Sequence, residues 1–316
     1  MTFQLPAAVI LIVAFLATPE AFAQSLSERL PPRGKVETIE VACGARDKEN
    51  CAIVVPELGS RTALRGVQLK PLESGGSAES LNGLCAGVVT MAVVQEDALV
   101  ARMGKAECAG QIRMIGAPLY PYEGFLVVRA DTRGASFADM VKNLKDGNIL
   151  RIAAGGPNSG GELTLRNILA AAPKWKPLVD IEPDGPSTAL ERLRNRGIDV
   201  FFVMDGPQSP LLNQVRETTD PKTKQRVYKF IDFRPDDKML VDLRRLGLYG
   251  VATIEKRWFS ALKTITSPAV IAIREDTYRN HPEIAAAIQQ AAEDALPAIA
   301  VRTGASPNWR QDFYRP

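Results

Sequence analysis

One spacing occurs twice in this chain. From Ser77 to Gly87 is ten positions and from Gly87 to Gln95 eight; from Ser187 to Gly197 is again ten and from Gly197 to Asp205 again eight. Each copy holds an apolar helical pattern (Leu81 and Leu84; Ala189, Leu190 and Leu193). A short buried-strand run follows, 88–94 in the first copy and 198–204 in the second. Upstream, Ile39 to Cys43 before Gly44 matches Leu150 to Ala154 before Gly155, offset by 111 where the later landmarks are offset by 110. Strand, Gly turn, helix, strand, capped helix, Gly stop and strand, twice over, predict two similar α/β halves. In open parallel sheets ligands bind beyond the carboxyl ends of the strands. Two such edges facing each other make a cleft. The expected fold is α/β, with two similar open-sheet lobes and a ligand cleft between them.

The clearest single piece is the run from Ile152 through Gly155-Gly156-Pro157-Asn158-Ser159-Gly160-Gly161 to Glu162. It reads as a buried strand, a glycine turn and a helix start, with Ser159 and Glu162 at capping-box spacing. A strand that opens into a capped helix presents free N–H groups and the positive end of a helix dipole, which suits a carboxylate or phosphate. An ordinary capped turn has the same sequence signature.

Composition narrows the partners. Lys and Arg total 39 against 36 Asp and Glu, so the formal charge of +3 is too balanced to point to nucleic acid. The apolar run from Leu5 to Ala17, followed by Ala21-Phe22-Ala23, reads as a secretory leader of residues 1–23 cleaved after Ala23. That places the chain in the periplasm. Four Cys in an exported chain predict two disulfides among three connectivities, and proximity in sequence favours Cys43–Cys51 and Cys85–Cys108. Those Cys spacings match no zinc pattern, and no cofactor is expected. With a single His, His281, a Ser-His-Asp or Cys-His set has nowhere else to form, so the chain is not expected to be an enzyme.

The candidate ligand contacts follow from the turns and strand ends. Ser77 and Ser159 are expected as N-caps and hydrogen-bond donors, while Gly75, Gly76, Gly160 and Gly161 let backbone amides approach a solute. Asn158 supplies an amide or forms an Asx turn. Gln95, with Asp97 just beyond it, and Asp205 sit at strand ends facing the cleft. Asp205 binds a ligand ammonium or caps the helix after Pro207. Glu123 touches the ligand or latches the hinge, and Tyr120 and Tyr122 wall the pocket or pack. Arg129 and Arg151 pair with a carboxylate or face solvent.

With these residues in place, the chain resembles the TAXI-type solute-binding proteins of TRAP transporters. The matching pieces are Glu73 to Leu81, Gly87 to Asp97, Leu119 to Glu123, Gly155 to Leu169, Leu193 to Phe202 with Asp205-Gly206, and Ser267 to Ile271. The resemblance implies a periplasmic binding-protein fold of type II. The lobes are residues 24–118 with 275–316, and 119–274. It implies capture of a small acidic or amino-acid-like solute by lobe closure, delivery to TRAP permease subunits, and a monomer. One stretch departs. Where that family carries a Gly-Gly-Thr-Tyr-like turn, this chain has Arg46-Asp47-Lys48-Glu49-Asn50-Cys51. Readings of the same fold as an ABC-type anion-binding protein, a ligand sensor or an enzyme stand beside it.

Overall fold

The computed structural model describes residues 37–134, 136–144, 147–157, 159–233, 242–243, 247–256, 261–306 and 309–313. The expected leader, residues 1–23, and Asn158 lie outside the described residues.

The first half runs β1 (Glu37–Ala42), a π turn (Asn50–Val54) leading into α1 (Val55–Thr62), β2 (Val67–Leu72), α2 (Ser77–Cys85), β3 (Met91–Gln95), α3 (Glu96–Met103) and β4 (Ile112–Ile115). The second runs β5 (Pro121–Arg129), α4 (Phe137–Lys142), β6 (Leu150–Ala153), α5 (Gly160–Ala171), β7 (Val179–Glu182), α6 (Pro186–Arg194), β8 (Val200–Asp205), α7 (Pro210–Glu217) and β9 (Tyr228–Ile231). The chain closes with β10 (Gly250–Lys256), β11 (Ala261–Arg274), α8 (Glu275–Asn280), α9 (Pro282–Thr303) and α10 (Trp309–Phe313).

The doubled spacing is a doubled topology. β1 pairs in parallel with β2 and β3, and β6 pairs in parallel with β7 and β8. The sheet order is β2-β1-β3-β11-β5-β8-β6-β7, so β3 and β8, the equivalent strands, flank the antiparallel pair β11 and β5. β11 serves both sides. Residues 269–273 pair with β3, while 266–268 pair with β5. Pro268 falls at the change-over opposite Pro121. Neither has an N–H to give the ladder, and the strands are tied just beside them by Ala269 N–H to the Tyr120 carbonyl and Leu119 N–H to the Ala269 carbonyl.

The run from Cys51 to Val55 is helical, although Ile53, Val54 and Val55 are β-branched. Burial explains the outcome: Val54, Val55 and Leu58 sit in the core, and tertiary packing overrides a weak helix propensity. α9 covers this region with Ile284, Ile288, Ala291, Ala292, Ala295 and Ile299 buried, and ends at Gly304 with φ of 73°. The described segment Trp309–Phe313 packs on the fold. Trp309 and Phe313 are buried, and Arg310 donates to the carbonyl of Pro118. Both expected disulfides are present, Cys43–Cys51 and Cys85–Cys108. Among the described residues no helix is long and apolar enough to cross a membrane.

Candidate ligand-binding site

The site grows from the turns that follow the two equivalent strands β1 and β6. After β1, Gly44 takes φ of +83° and the Cys43–Cys51 disulfide closes the turn. Ser74 fixes its entry, since its hydroxyl accepts from Gly44 N–H at 3.1 Å and its own N–H donates to the Gly44 carbonyl. The closed turn drives Glu49 and Asn50 inward, to 5% and 4% exposure. Asn50 is fully engaged: Nδ2 donates to the Val93 carbonyl and Oδ1 accepts from Tyr120 Oη.

After β6, Gly155 takes φ of +95° and Ser159 caps α5, accepting from Glu162 N–H at 3.2 Å and donating to the Ala154 carbonyl. Half of the expected capping box is thus present, while the Glu162 carboxylate pairs with Arg166. A Cβ on Gly161 would lie 2.7 Å from the Ala154 carbonyl oxygen, so the helix can start this close to the strand only with glycine.

These two turns and the Gly75–Ser77 turn enclose a cavity of about 200 Å³. The halves touch across it. A Cβ on Gly76 would lie 3.5 Å from Ser159 Cα, and one on Gly160 would fall on Gln95 Oε1. The arrangement is closed. Of the expected contacts, Gly75, Gly76, Ser77, Gln95, Tyr122, Ser159, Gly160, Gly161 and Asp205 line the wall. Phe201 and Phe202 add apolar surface.

Several expectations need correction. Ser77 is not a cap: Gly76 holds that place with φ of 135°, and the Ser77 hydroxyl accepts from Gln95 N–H at 3.1 Å, tying α2 to the end of β3. The second Ser in the repeat, Ser187, also lies inside its helix, behind Gly185 and Pro186. Asp205 does not cap α7, because Ser209 does so by accepting from Leu212 N–H. Asp97 is not on the wall. It is fully buried where the halves meet, accepting from Thr164 at 2.6 Å and Tyr249 at 2.7 Å, and Gln95 Nε2 also reaches Thr164. Burial raises the Asp97 carboxyl above its ordinary range, and these donors pull it back. Glu123 is also off the wall, beside Asp205 in the β5–β8 pairing; burial pushes its carboxyl to about 7 against the pull of Arg216. Arg129 pairs with Asp131 and Arg151 with Asp199, both away from the cavity. His281 is an exposed residue at the start of α9.

The residues missed by inspection of the sequence are Lys48 and Glu49. Lys48 Nζ reaches Asp205 Oδ2 at 2.5 Å, so a cation of the first half meets a buried carboxylate of the second. Glu49 lies against the same carboxylate. Burial first, then repulsion from and hydrogen bonding with Asp205, lift it to about 8, with Lys48 opposing. The charged departure at Arg46–Cys51 was the available signal. Among the described residues no cluster of three His, Cys, Asp or Glu side chains is placed to hold a metal ion.

The model of the NMT1-like family matches residues 53–280. The chain belongs to the NMT1-like family. No curated protein matches its sequence. Among solved structures, this NMT1-like chain is similar to a putative periplasmic sulfonate-binding protein from Methylobacillus flagellatus, at 15% identity and a TM-score of 0.51, over 84% of this chain and 70% of that one. The alkanesulfonate-binding protein of Xanthomonas axonopodis bound to MOPS is 13% identical with a TM-score of 0.52, over 90% and 86%. A putative L-cystine ABC transporter protein from Listeria monocytogenes is 14% identical with a TM-score of 0.50, over 84% and 95%. At these identities the likeness is one of fold. The NMT1-like chain therefore has the periplasmic-binding-protein fold that the TAXI resemblance implied, under a different family model.

Proposed function

We propose that this chain is the solute-binding component of an ABC-type importer, working in the periplasm and handing a small solute to a membrane permease. The observation that carries this reading is the cavity closed between two equivalent sheet edges, with the starts of α2 and α5 on its wall. The first-turn amides of a helix lack intrahelical acceptors and favour negative charge, so they receive a carboxylate or sulfonate. NMT1-like membership and fold neighbours named for sulfonate and L-cystine ABC systems support the importer over other uses of the fold.

The lobes in this reading are residues 24–118 with 275–316, and 119–274, with β11 shared between them. Opening bends the sheet where Pro121 faces Pro268, and the solute favours closure through contacts made only in the closed state. Gly75, Gly76, Ser77, Gln95, Tyr122, Ser159, Gly160, Gly161 and Asp205 contact the solute, while Asp97 holds the seam through Thr164 and Tyr249. The TAXI-like runs keep a TRAP permease as the second reading. ATP-driven uptake in reconstituted vesicles supports the first; uptake driven by an ion gradient alone supports the second.

The direct test is calorimetry and thermal shift with a broad panel of carboxylates, sulfonates and amino acids. Saturable binding is expected, weakened by Ser77→Ala combined with Ser159→Ala. A panel without any binder sinks the proposal.

A further inference from the structure

The charges on the cavity wall do not balance. Among the described residues of that wall the charged side chains are Lys48, Glu49 and Asp205. Lys48 is taken by Asp205 Oδ2, and Asp205 Oδ1 accepts from Gly206 N–H at 3.1 Å. Glu49 remains. It is 95% buried, and its Oε2 has no hydrogen-bond partner. An unsatisfied buried carboxyl oxygen is unfavourable until a donor reaches it. One lysine for two carboxyls leaves room for one more positive charge, supplied by a proton on Glu49 or by a bound molecule.

We propose that the solute carries an ammonium or similar cationic nitrogen that pairs with Glu49, so that the ligand is a zwitterion and not a plain carboxylate or sulfonate. This rests on the solute-binding reading of the cavity. An anionic group at the starts of α2 and α5 accounts for one end of such a molecule, and the Glu49–Asp205 pair accounts for the other. A solute with only negative charge meets a wall whose single cation is already paired, and it leaves Glu49 Oε2 without a partner.

Pairing also moves a proton. Burial and the neighbouring Asp205 push the Glu49 carboxyl up to about 8, favouring the protonated form, whereas an arriving ammonium favours the ionised form. The proton leaves to solvent as the ion pair forms. The groups facing Glu49 are Lys48 on its own turn, Asp205 from β8, and Tyr120 and Tyr122 from β5 and the segment before it. Asp47 and Arg302 stand along the groove behind it.

Matched probes test this with the purified protein: L-alanine against propionate, 4-aminobutyrate against butyrate, and taurine against ethanesulfonate, by calorimetry in two buffers of different ionisation enthalpy. In at least one pair the amine-bearing member should bind about tenfold or more tighter, the worth of one charge-assisted hydrogen bond. Its heat should depend on the buffer, reporting proton release near neutral pH. Glu49→Gln should shrink the preference and remove the buffer dependence. Equal binding within every pair overturns the zwitterion inference while leaving solute binding intact, and so does a preference that survives Glu49→Gln. No binding by any probe overturns both. The wild-type comparison stands by itself if Glu49→Gln fails to fold.

Discussion

The turn after β1 and the turn after β6 occupy the same place in the two halves and do opposite jobs. The second is glycine, cap and backbone: Gly155, Gly160 and Gly161 bring main chain to the cavity, and Ser159 holds the helix start. The first is charged, closed by a disulfide, and brings the side chains of Lys48, Glu49 and Asn50. A backbone cradle recognises negative charge with little regard for what carries it. Buried side chains discriminate, because each unsatisfied partner is penalised. In the proposed solute-binding reading, the duplicated topology therefore supplies a general half and a selective half.

The hardest way to break the general half is Gly160→Val. The first added carbon falls on Gln95 Oε1, so the Gln95 amide must swing away and give up its bond to Thr164 for the halves to close. Overpacking at such a contact should weaken binding by about 3 kcal/mol, roughly a hundredfold, with the lobes held apart in small-angle scattering. Tight binding by this variant would show that closure does not pass through the Gly160–Gln95 contact.

The corresponding blow to the selective half is Cys43→Ser with Cys51→Ser. The bridge spans eight positions, and loop-closure entropy puts its contribution at about 2–3 kcal/mol. Chemical denaturation should show that loss, together with weaker solute binding as Lys48 and Glu49 lose their fixed turn. Unchanged affinity would mean that packing of Asn50 against Val93 and Tyr120 suffices to place them.

The same contrast decides what could be read without coordinates. The topology was legible because Gly stops, Ser and polar strand ends recur at fixed spacing, and those features answer to local backbone geometry. The glycine turn at 155–161 was legible for the same reason. Glu49 and Lys48 were not, since a run such as Arg46-Asp47-Lys48-Glu49 looks like any solvated loop. Their placement depends on contacts with Asp205, 157 positions from Lys48. Asp97 and Glu123 were placed in the right neighbourhood, but chain position does not say which side of the seam a carboxyl enters. Ser77 illustrates the limit most plainly: Ser before a helix signals a cap, yet here the partner is Gln95 on another strand.

Glu49→Gln sharpens the comparison through pH. The Glu49 carboxyl stands at about 8 in the folded protein against an ordinary 4.5, so it is raised. Its contribution to stability is complete below 4.5 and is lost as pH climbs towards 8. The wild type should therefore lose more stability across that window than the Gln variant, in which the raised Glu123 carboxyl still titrates. Melting temperature against pH in the absence of solute measures this. Parallel curves for the two proteins would remove Glu49 as a buried titrating group.

The mildest test is Ser159→Ala against Ser77→Ala. Loss of the Ser159 cap leaves Glu162 N–H without its acceptor at the start of α5, a change of about 1 kcal/mol. Loss of the Ser77 hydroxyl leaves the buried Gln95 N–H without an acceptor, a change of about 1–2 kcal/mol. Denaturant midpoints without solute should thus fall slightly more for Ser77→Ala. Amide exchange should localise the two effects differently: Ser159→Ala loosens the first turn of α5, whereas Ser77→Ala loosens the link between α2 and the end of β3. If both variants exposed only their own helix starts, Ser77 would be acting as a cap after all, and the two halves would be more alike than their hydrogen bonds make them.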